Sequence, residues 1–227
     1  MNRFVEMLRG KPMTLIMSLP RNDVGLCRVA FEAGADAVKV HSNLSHHASN
    51  NQFKPFEAYE EMFGEMLQSA PGPMGIVPGA DVSEVLHTAK KASVLPFDFF
   101  SLYAHHAPPQ ILSLPQALMT ACAFDYTDAE VAGISNAGAS VLEASVIPGD
   151  GYGQPLSLRD VIRYRRICEG TRLPVVAPTQ RRVLPDDLPY LRDAGVKGIM
   201  IGAIVTGSEQ ASIARAIESF RRAIDKL

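Results

Sequence analysis

Two rhythms of apolar residues alternate along the chain. Short, mostly continuous apolar runs are separated by longer stretches in which apolar positions recur every three or four residues. The runs are TLIMSL (14–19), DAVKVH (36–41), PMGIVP (73–78), FDFFSLY (97–103), ALMTACAF (117–124), SVLEAS (140–145), PVVAP (174–178) and KGIMIGA (197–203). Continuous rather than alternating runs predict strands covered on both faces. The intervening stretches carry helix punctuation. Thr127 and Glu130 in TDAE form a capping box, and DVSE at Asp81 and SLRD at Ser157 place acids in a first turn. Gly34, Gly138 and Gly195 stand just past predicted helix ends. Ile213, Ala216, Ile217, Phe220 and Ile224 make one stripe of a final helix over about residues 208–226.

A weak internal repeat ties these elements together. EAGADAVKV, NAGASVLEA and DAGVKGIMI each place an Ala-Gly helix end before a strand, and PGPMGIVPG pairs with RLPVVAPT. Eight strand–helix units predict one α/β domain over residues 1–227, a closed (β/α)8 TIM barrel. An open doubly wound sheet is the alternative. AHHAPPQILSLPQ leaves little room after the fourth strand, so the fourth helix is expected to be abbreviated.

Composition narrows the setting. The chain is 47% hydrophobic and 20% charged, with a net charge of −2. It shows no basic stripe, so nucleic acid and membrane are not expected partners. Cys27, Cys122 and Cys168 are odd in number and widely spaced. They read as small buried hydrophobes rather than a disulfide framework or zinc site. MNRFVEMLRGKPM lacks the apolar core of a signal peptide, and no run reaches the ~18 residues that span a bilayer. A reducing cytoplasm is the expected location.

Aligning the repeats on their glycines gives the strand residues directions. Lys39, Ser101, Glu143 and Met200 fall in one set, and His41, Tyr103, Ser145 and Gly202 in the next. The opposite faces carry Val38, Val40, Leu142, Ala144, Ile199 and Ile201, which suits contact with helices. Lys39 and Glu143 should therefore point into the barrel, where branched aliphatics are usual. A lone buried charge costs several kcal/mol. Either a structural ion pair plugs the barrel, or the pair forms the floor of a site near the strand ends.

The predicted loops fall at the same end. SNLSHHASNNQFKP (42–55) is a long polar loop, and its His46 and His47 read as surface residues. His41, His105 and a loop histidine lack any metal-binding spacing, so no metal and no cofactor are expected. Gly149, Gly151 and Gly153 permit close backbone approach to a ligand. PTQRR places Thr179, Gln180, Arg181 and Arg182 near the mouth. Barrels often hold phosphate with the loops after strands seven and eight, an arrangement that Gly202, Ala203 and an arginine from 181–182 fit.

The run PVVAPTQRRVLPDDLPYLRDAGVKGIMIGAIVTG resembles the end of ribulose-phosphate-binding-type barrels, most closely the bacterial N-acylglucosamine-6-phosphate 2-epimerases (N-acetylmannosamine-6-phosphate epimerases). LIMSLP and LMTACAFDYTDAEVAGISNAG look like the same family. The resemblance implies the barrel fold and a phosphate region at Gly202, Ala203, Arg181 and the loop holding Gly151 and Tyr152. It does not carry the reaction. That family's lysine at the end of strand three is replaced here by Pro78 and Gly79, its glutamate on strand seven by Pro178, and its aspartate after strand four by Tyr103. Lys39 falls where the family has a substrate-binding arginine.

Two classes of function follow. One is an enzyme of carbohydrate metabolism acting on a phosphorylated sugar or similar metabolite by proton transfer, as an isomerase, epimerase or lyase. Its catalytic groups would be Lys39, Glu143, His41 and His105, with Schiff-base aldolase chemistry at Lys39 as the variant. The other is a non-catalytic barrel that binds phosphometabolites. A homodimer is compatible with either.

Overall fold

Each of the eight apolar runs forms a strand, and each strand hydrogen-bonds to two neighbours. The computed structural model describes residues 2–227. Its strands are β1 (Thr14–Ser18), β2 (Ala37–His41), β3 (Met74–Val77), β4 (Phe99–Tyr103), β5 (Ala117–Cys122), β6 (Val141–Ala144), β7 (Val175–Pro178) and β8 (Gly198–Ile201). All neighbours pair in parallel in chain order, and β8 closes on β1, giving the expected (β/α)8 barrel. An open sheet would leave β1 and β8 as edges, and it is excluded.

Helices cover the outside. They are α1 (Arg3–Gly10), α2 (Val24–Glu32), α3 (Glu60–Ser69), α4 (Val82–Ala92), α5 (Asp128–Asn136), α6 (Leu158–Glu169), α7 (Leu188–Asp193), α8 (Ala203–Thr206) and α9 (Gln210–Ile224). The capping boxes at Thr127 and Ser157 are formed. Between β4 and β5 the chain makes two 3-10 turns, Ala104–His106 and Pro109–Ser113, in place of an α-helix. The proline pair at 108–109 removes amide donors from that segment and so favours short turns. No helix is long and apolar enough to cross a membrane, among the described residues.

Two apolar layers result. Val38, Val40, Leu142, Ala144, Ile199 and Ile201 pack outward against the helices. Inside the barrel, Ile16, Ala37, Phe99, Val141 and Val176 meet Phe4, Val5 and Leu8 of α1. These strand residues lie at or near strand starts, so α1 plugs the N-terminal end. Phe4 stacks on Phe99 with ring centroids 3.9 Å apart. The plug needs Gly75, because a Cβ there would lie 2.2 Å from the Phe99 ring.

Two aspartates pin this end. Asp36, just before β2, accepts the Leu15 N–H of β1 at 2.8 Å and Arg221 Nη1 at 3.1 Å. Asp98, just before β4, accepts the Met74 N–H of β3 at 2.9 Å and Arg3 Nε at 2.6 Å. The lower end of the barrel is thus filled and tied. Apart from Thr14, whose hydroxyl lies 3.5 Å from Met7 O of α1, the polar interior residues lie above it.

The segment over residues 42–55, expected as a loop, contains a hairpin instead. Leu44–His46 pairs antiparallel with Asn51–Phe53 through a 3-10 turn at His47–Ser49. Asn50 takes the left-handed conformation with φ 49°, which asparagine tolerates better than most residues. The hairpin's base is clamped by the Asn43 N–H donating to Lys54 O at 2.9 Å. Asn51 Nδ2 also donates to Pro20 O at 3.0 Å.

Candidate active site

A cavity of about 250 Å³ opens among the C-terminal ends of the strands. Lys39, Ser101, Glu143 and Met200 line its lower part, one from each even-numbered strand. His41, Tyr103, Ser145 and Gly202 line the level above, as the repeat alignment places them. The hairpin supplies Ser45, His46 and His47 to the same cavity.

The floor holds two opposite charges. Lys39 Nζ lies 3.6 Å from Glu143 Oε2, with each side chain only 7% exposed. β2 and β6 face each other across the barrel, so the pair spans its interior. Hydroxyls hold both carboxylate oxygens: Ser101 Oγ donates to Oε2 and Ser145 Oγ to Oε1, each at 2.9 Å. At 3.6 Å the lysine balances the carboxylate without a hydrogen bond to it. Charge compensation makes the burial affordable, while the ammonium stays free to engage a ligand.

His41 is the most buried polar group of the upper level. It is 1% exposed and packs against His46 and Phe53, with ring centroids 4.6 and 4.7 Å away. Its Nε2 lies 3.4 Å from Ser18 Oγ, and its Nδ1 is buried without a partner. A serine beside a histidine begins a nucleophilic triad, but no acceptor orients the far nitrogen, so that chemistry is not assembled. Burial, reinforced by His46 and Lys39, holds His41 well below its ordinary pKa. The ring is therefore neutral at pH 7.

His46 is not a surface residue, whereas His47 is exposed as expected and borders the cavity rim. The hairpin register turns His46 inward, and Ser49 Oγ fixes its Nδ1 at 2.7 Å. Burial, then Lys39, lowers its pKa to about 4, partly opposed by Glu143. His47 lines the cavity and packs edge-on to Tyr152 at 5.1 Å. Sequence reasoning missed the inward turn of His46 because no strand pattern marks 44–53. The one available signal was the Asn50-Asn51 pair, a candidate left-handed turn.

His105 must be corrected in the other sense. It is exposed, and its Nδ1 lies 2.9 Å from the Tyr126 hydroxyl. His106 lines the cavity instead. A 3-10 turn rotates successive residues by about 120°, so only one of two adjacent histidines faces inward.

The expected phosphate residues divide. Tyr152 and Gly202 line the cavity. The Tyr152 hydroxyl accepts from Gln180 Nε2 at 2.6 Å, and the Gly202 N–H donates to Thr179 Oγ1 at 3.2 Å. Ala203 begins α8, whose next residue Ile204 lines the cavity. Arg181 and Gly151 serve elsewhere. Arg181 donates to the Asp160 carboxylate at 3.1 and 3.3 Å and to the Gly151 carbonyl at 2.9 Å. A Cβ at Gly151 would sit 2.9 Å from Arg181 Nη1, so the glycine makes room for the guanidinium. Together they fasten the β6–α6 loop to the end of β7, and neither lines the cavity. Among the described residues lining it, Lys39 is the one lysine or arginine.

Solved structures of similar shape place this geometry in context. Thiamine phosphate pyrophosphorylase from Pyrococcus furiosus superposes with a TM-score of 0.69 at 20% identity, covering 96% of this chain and 98% of that one. KGPDC from Streptococcus mutans gives 0.70 at 14% identity, covering 95% and 99%. Phosphoribosyl anthranilate isomerase from Thermus thermophilus gives 0.67 at 12% identity, covering 94% and 99%. What the chain shares with them is the fold. No protein-family model and no curated protein sequence matches the chain.

Proposed function

We propose that the chain is an enzyme that moves protons on a phosphorylated sugar or similar small phosphorylated metabolite, as an isomerase or epimerase or as a lyase. The observation that carries this is the Lys39–Glu143 pair, buried at the floor of a cavity at the strand C-terminal ends. Barrel enzymes carry their chemistry at that end. A pair serving stability alone would be equally at home in the filled lower end.

Lys39 takes the role of acid or base at the reacting carbon, with Glu143 as its partner or counter-base. Neutral His41 and the Tyr103 hydroxyl, kept protonated by burial, stand ready as hydrogen-bond partners. The phosphate reading draws support from two proteins of similar fold whose names carry phosphorylated compounds, phosphoribosyl anthranilate isomerase and thiamine phosphate pyrophosphorylase. With Arg181 engaged by Asp160, the phosphoryl group falls to Gly202, the start of α8, Thr179 and Tyr152. The resemblance to the N-acylglucosamine-6-phosphate 2-epimerases supports the same end of the substrate. The lysine and glutamate of that family's strands three and seven are missing, so the reaction here would run from β2 and β6 instead. Proton transfer of this kind requires no cofactor.

A second reading follows from the 3.6 Å gap between Lys39 and Glu143. An amine not hydrogen-bonded to its counter-ion can attack a substrate carbonyl and, with loss of water, form a Schiff base. One experiment separates the readings. Aldose and ketose monophosphates are incubated with the protein in D2O, and deuterium entering at carbon is followed by NMR. Wild type is expected to exchange at least one substrate, and Lys39→Met to abolish exchange. Exchange without a borohydride-trapped adduct on Lys39 marks simple proton transfer, and a trapped adduct marks the Schiff base. Binding without turnover would mark a non-catalytic barrel, and turnover surviving in Lys39→Met would remove the assignment.

A further inference from the structure

The hairpin brings a second imidazole to the cavity, beside the His41 ring of β2. His46 lines the same space as Lys39 and Glu143 and lies near enough for both charges to act on its ring. Its position is fixed rather than incidental. Ser49 Oγ holds Nδ1 at 2.7 Å, the His41 ring backs it at 4.6 Å, and the hairpin is clamped at Asn43–Lys54 and Asn51–Pro20. With Nδ1 taken, Nε2 is the nitrogen left for a ligand. A hydroxyl partner, unlike a carboxylate, supports either tautomer and adds no charge.

We propose that His46 is a catalytic residue of the proton-transfer reaction proposed above, donating a hydrogen bond from Nε2 to the substrate carbonyl oxygen as negative charge develops there. The C–H bond beside the carbonyl breaks and its proton passes to the Glu143 carboxylate on the cavity floor, beside Lys39. The bonding pair forms the C=C bond, and the carbonyl π pair moves onto oxygen, facing His46. The proton then returns to the same carbon and the carbonyl re-forms, or it goes to the former carbonyl carbon while the hydroxyl proton of the neighbouring carbon passes to the first oxygen and that neighbour becomes the new carbonyl. The ring suits this task because burial and Lys39 keep it neutral at pH 7. A neutral imidazole donates to a developing oxyanion without first neutralising it. This inference rests on the reading under Proposed function and adds the electrophilic partner that Lys39 and Glu143 lack.

Two variants test it. His46→Phe keeps the ring's bulk and removes the N–H, and His46→Gln restores a donor. With the sugar monophosphate that wild type exchanges in D2O, His46→Phe should lower kcat about 100-fold, as loss of one such donor does elsewhere, with KM little changed. His46→Gln should recover part of that loss. Phosphoglycolohydroxamate, a stable mimic of a phosphorylated enediolate, should bind His46→Phe much more weakly than wild type. Melting temperatures near wild type confirm that the hairpin is intact. Where Lys39→Met is inactive but His46→Phe exchanges and binds the mimic like wild type, this inference alone falls. Where wild type neither exchanges any sugar monophosphate nor binds the mimic, the proton-transfer reading falls and takes His46 with it.

Discussion

The residue that departs most from its surroundings is Lys39. An apolar strand with one lysine poses a question that the register answers: the side chain points inward, and its counter-ion arrives from β6. The charge balance predicts a specific energetic signature. Glu143→Gln leaves a buried ammonium without compensation and should cost about 3 kcal/mol in denaturant unfolding. Adding Lys39→Met to that variant should return most of the loss, and a double variant no more stable than Glu143→Gln would contradict the pairing. Lys39 and Glu143 were legible because the repeats share glycines that fix the strand phase. Arg181 was not legible in the same way. Its position after β7 suggested the mouth, yet its guanidinium turns to Asp160, whose carboxylate is held by three groups: Ser157 Oγ, the Ser157 N–H and Arg181 itself. Sequence gives a residue its place on an element, but a long flexible side chain chooses among partners that only the folded loops bring near. Arg181→Met should therefore lower stability, since it leaves a buried carboxylate short of its cation. Its effect on KM for a sugar phosphate should be small, as steady-state kinetics on the responsive substrate would report.

At the scale of elements, the eight strands and their order followed from continuous apolar runs and repeated helix ends. The abbreviated fourth unit followed from the little room that AHHAPPQILSLPQ leaves between two strands. The hairpin at 44–53 did not, because its strands are short, polar and set outside the barrel's repeat. They are held by pairing with each other, by the Asn43–Lys54 and Asn51–Pro20 clamps and by one buried apolar residue, Phe53, so no period shows in the sequence. That blind spot hid His46, which the hairpin brings to the cavity. The plugged end offers a cleaner test of how elements fit. Gly75 on β3 exists to admit the Phe99 ring, which cannot retreat because Phe4 of α1 stacks on its other side. Gly75→Ala should destabilise the fold by about 3 kcal/mol through overpacking. Combining it with Phe99→Leu should restore part of that stability. Equal stability of Gly75→Ala and wild type in a urea titration would mean that α1 does not seat as described.

The whole molecule divides into a packed end that holds the fold and an end that opens into the cavity, and its response to pH should reveal the division. His41 and His46 both sit against Lys39 and against each other, with Glu143 opposing and His47 adding to the shift at His46. Both are held below the ordinary value of 6.5, His46 to about 4. His106 is lowered as well, first by burial and then by His105. Below pH 6.5 the unfolded chain binds protons on these rings that the folded chain refuses, so stability must fall as pH drops from 6.5 toward 4. Allowing for its partial exposure, His46 alone contributes roughly 2 kcal/mol to that fall. The alkaline limb has another origin. Burial pushes the Cys27 and Cys168 thiols to about 12 and Cys122 to about 11, from 9.0. Above pH 9 the unfolded thiols ionise and the folded ones do not, so stability falls again as pH rises. Unfolding free energy should therefore form a plateau between about pH 7 and 9, with limbs of independent cause. His46→Gln should flatten the acid limb and leave the alkaline limb alone, while Cys27→Ala should do the reverse. The measurement is a set of urea titrations from pH 4.5 to 10. A flat profile between pH 4.5 and 7 in the wild type would mean that the histidines around Lys39 are not held neutral, and that the cavity end is more open to water than its geometry describes.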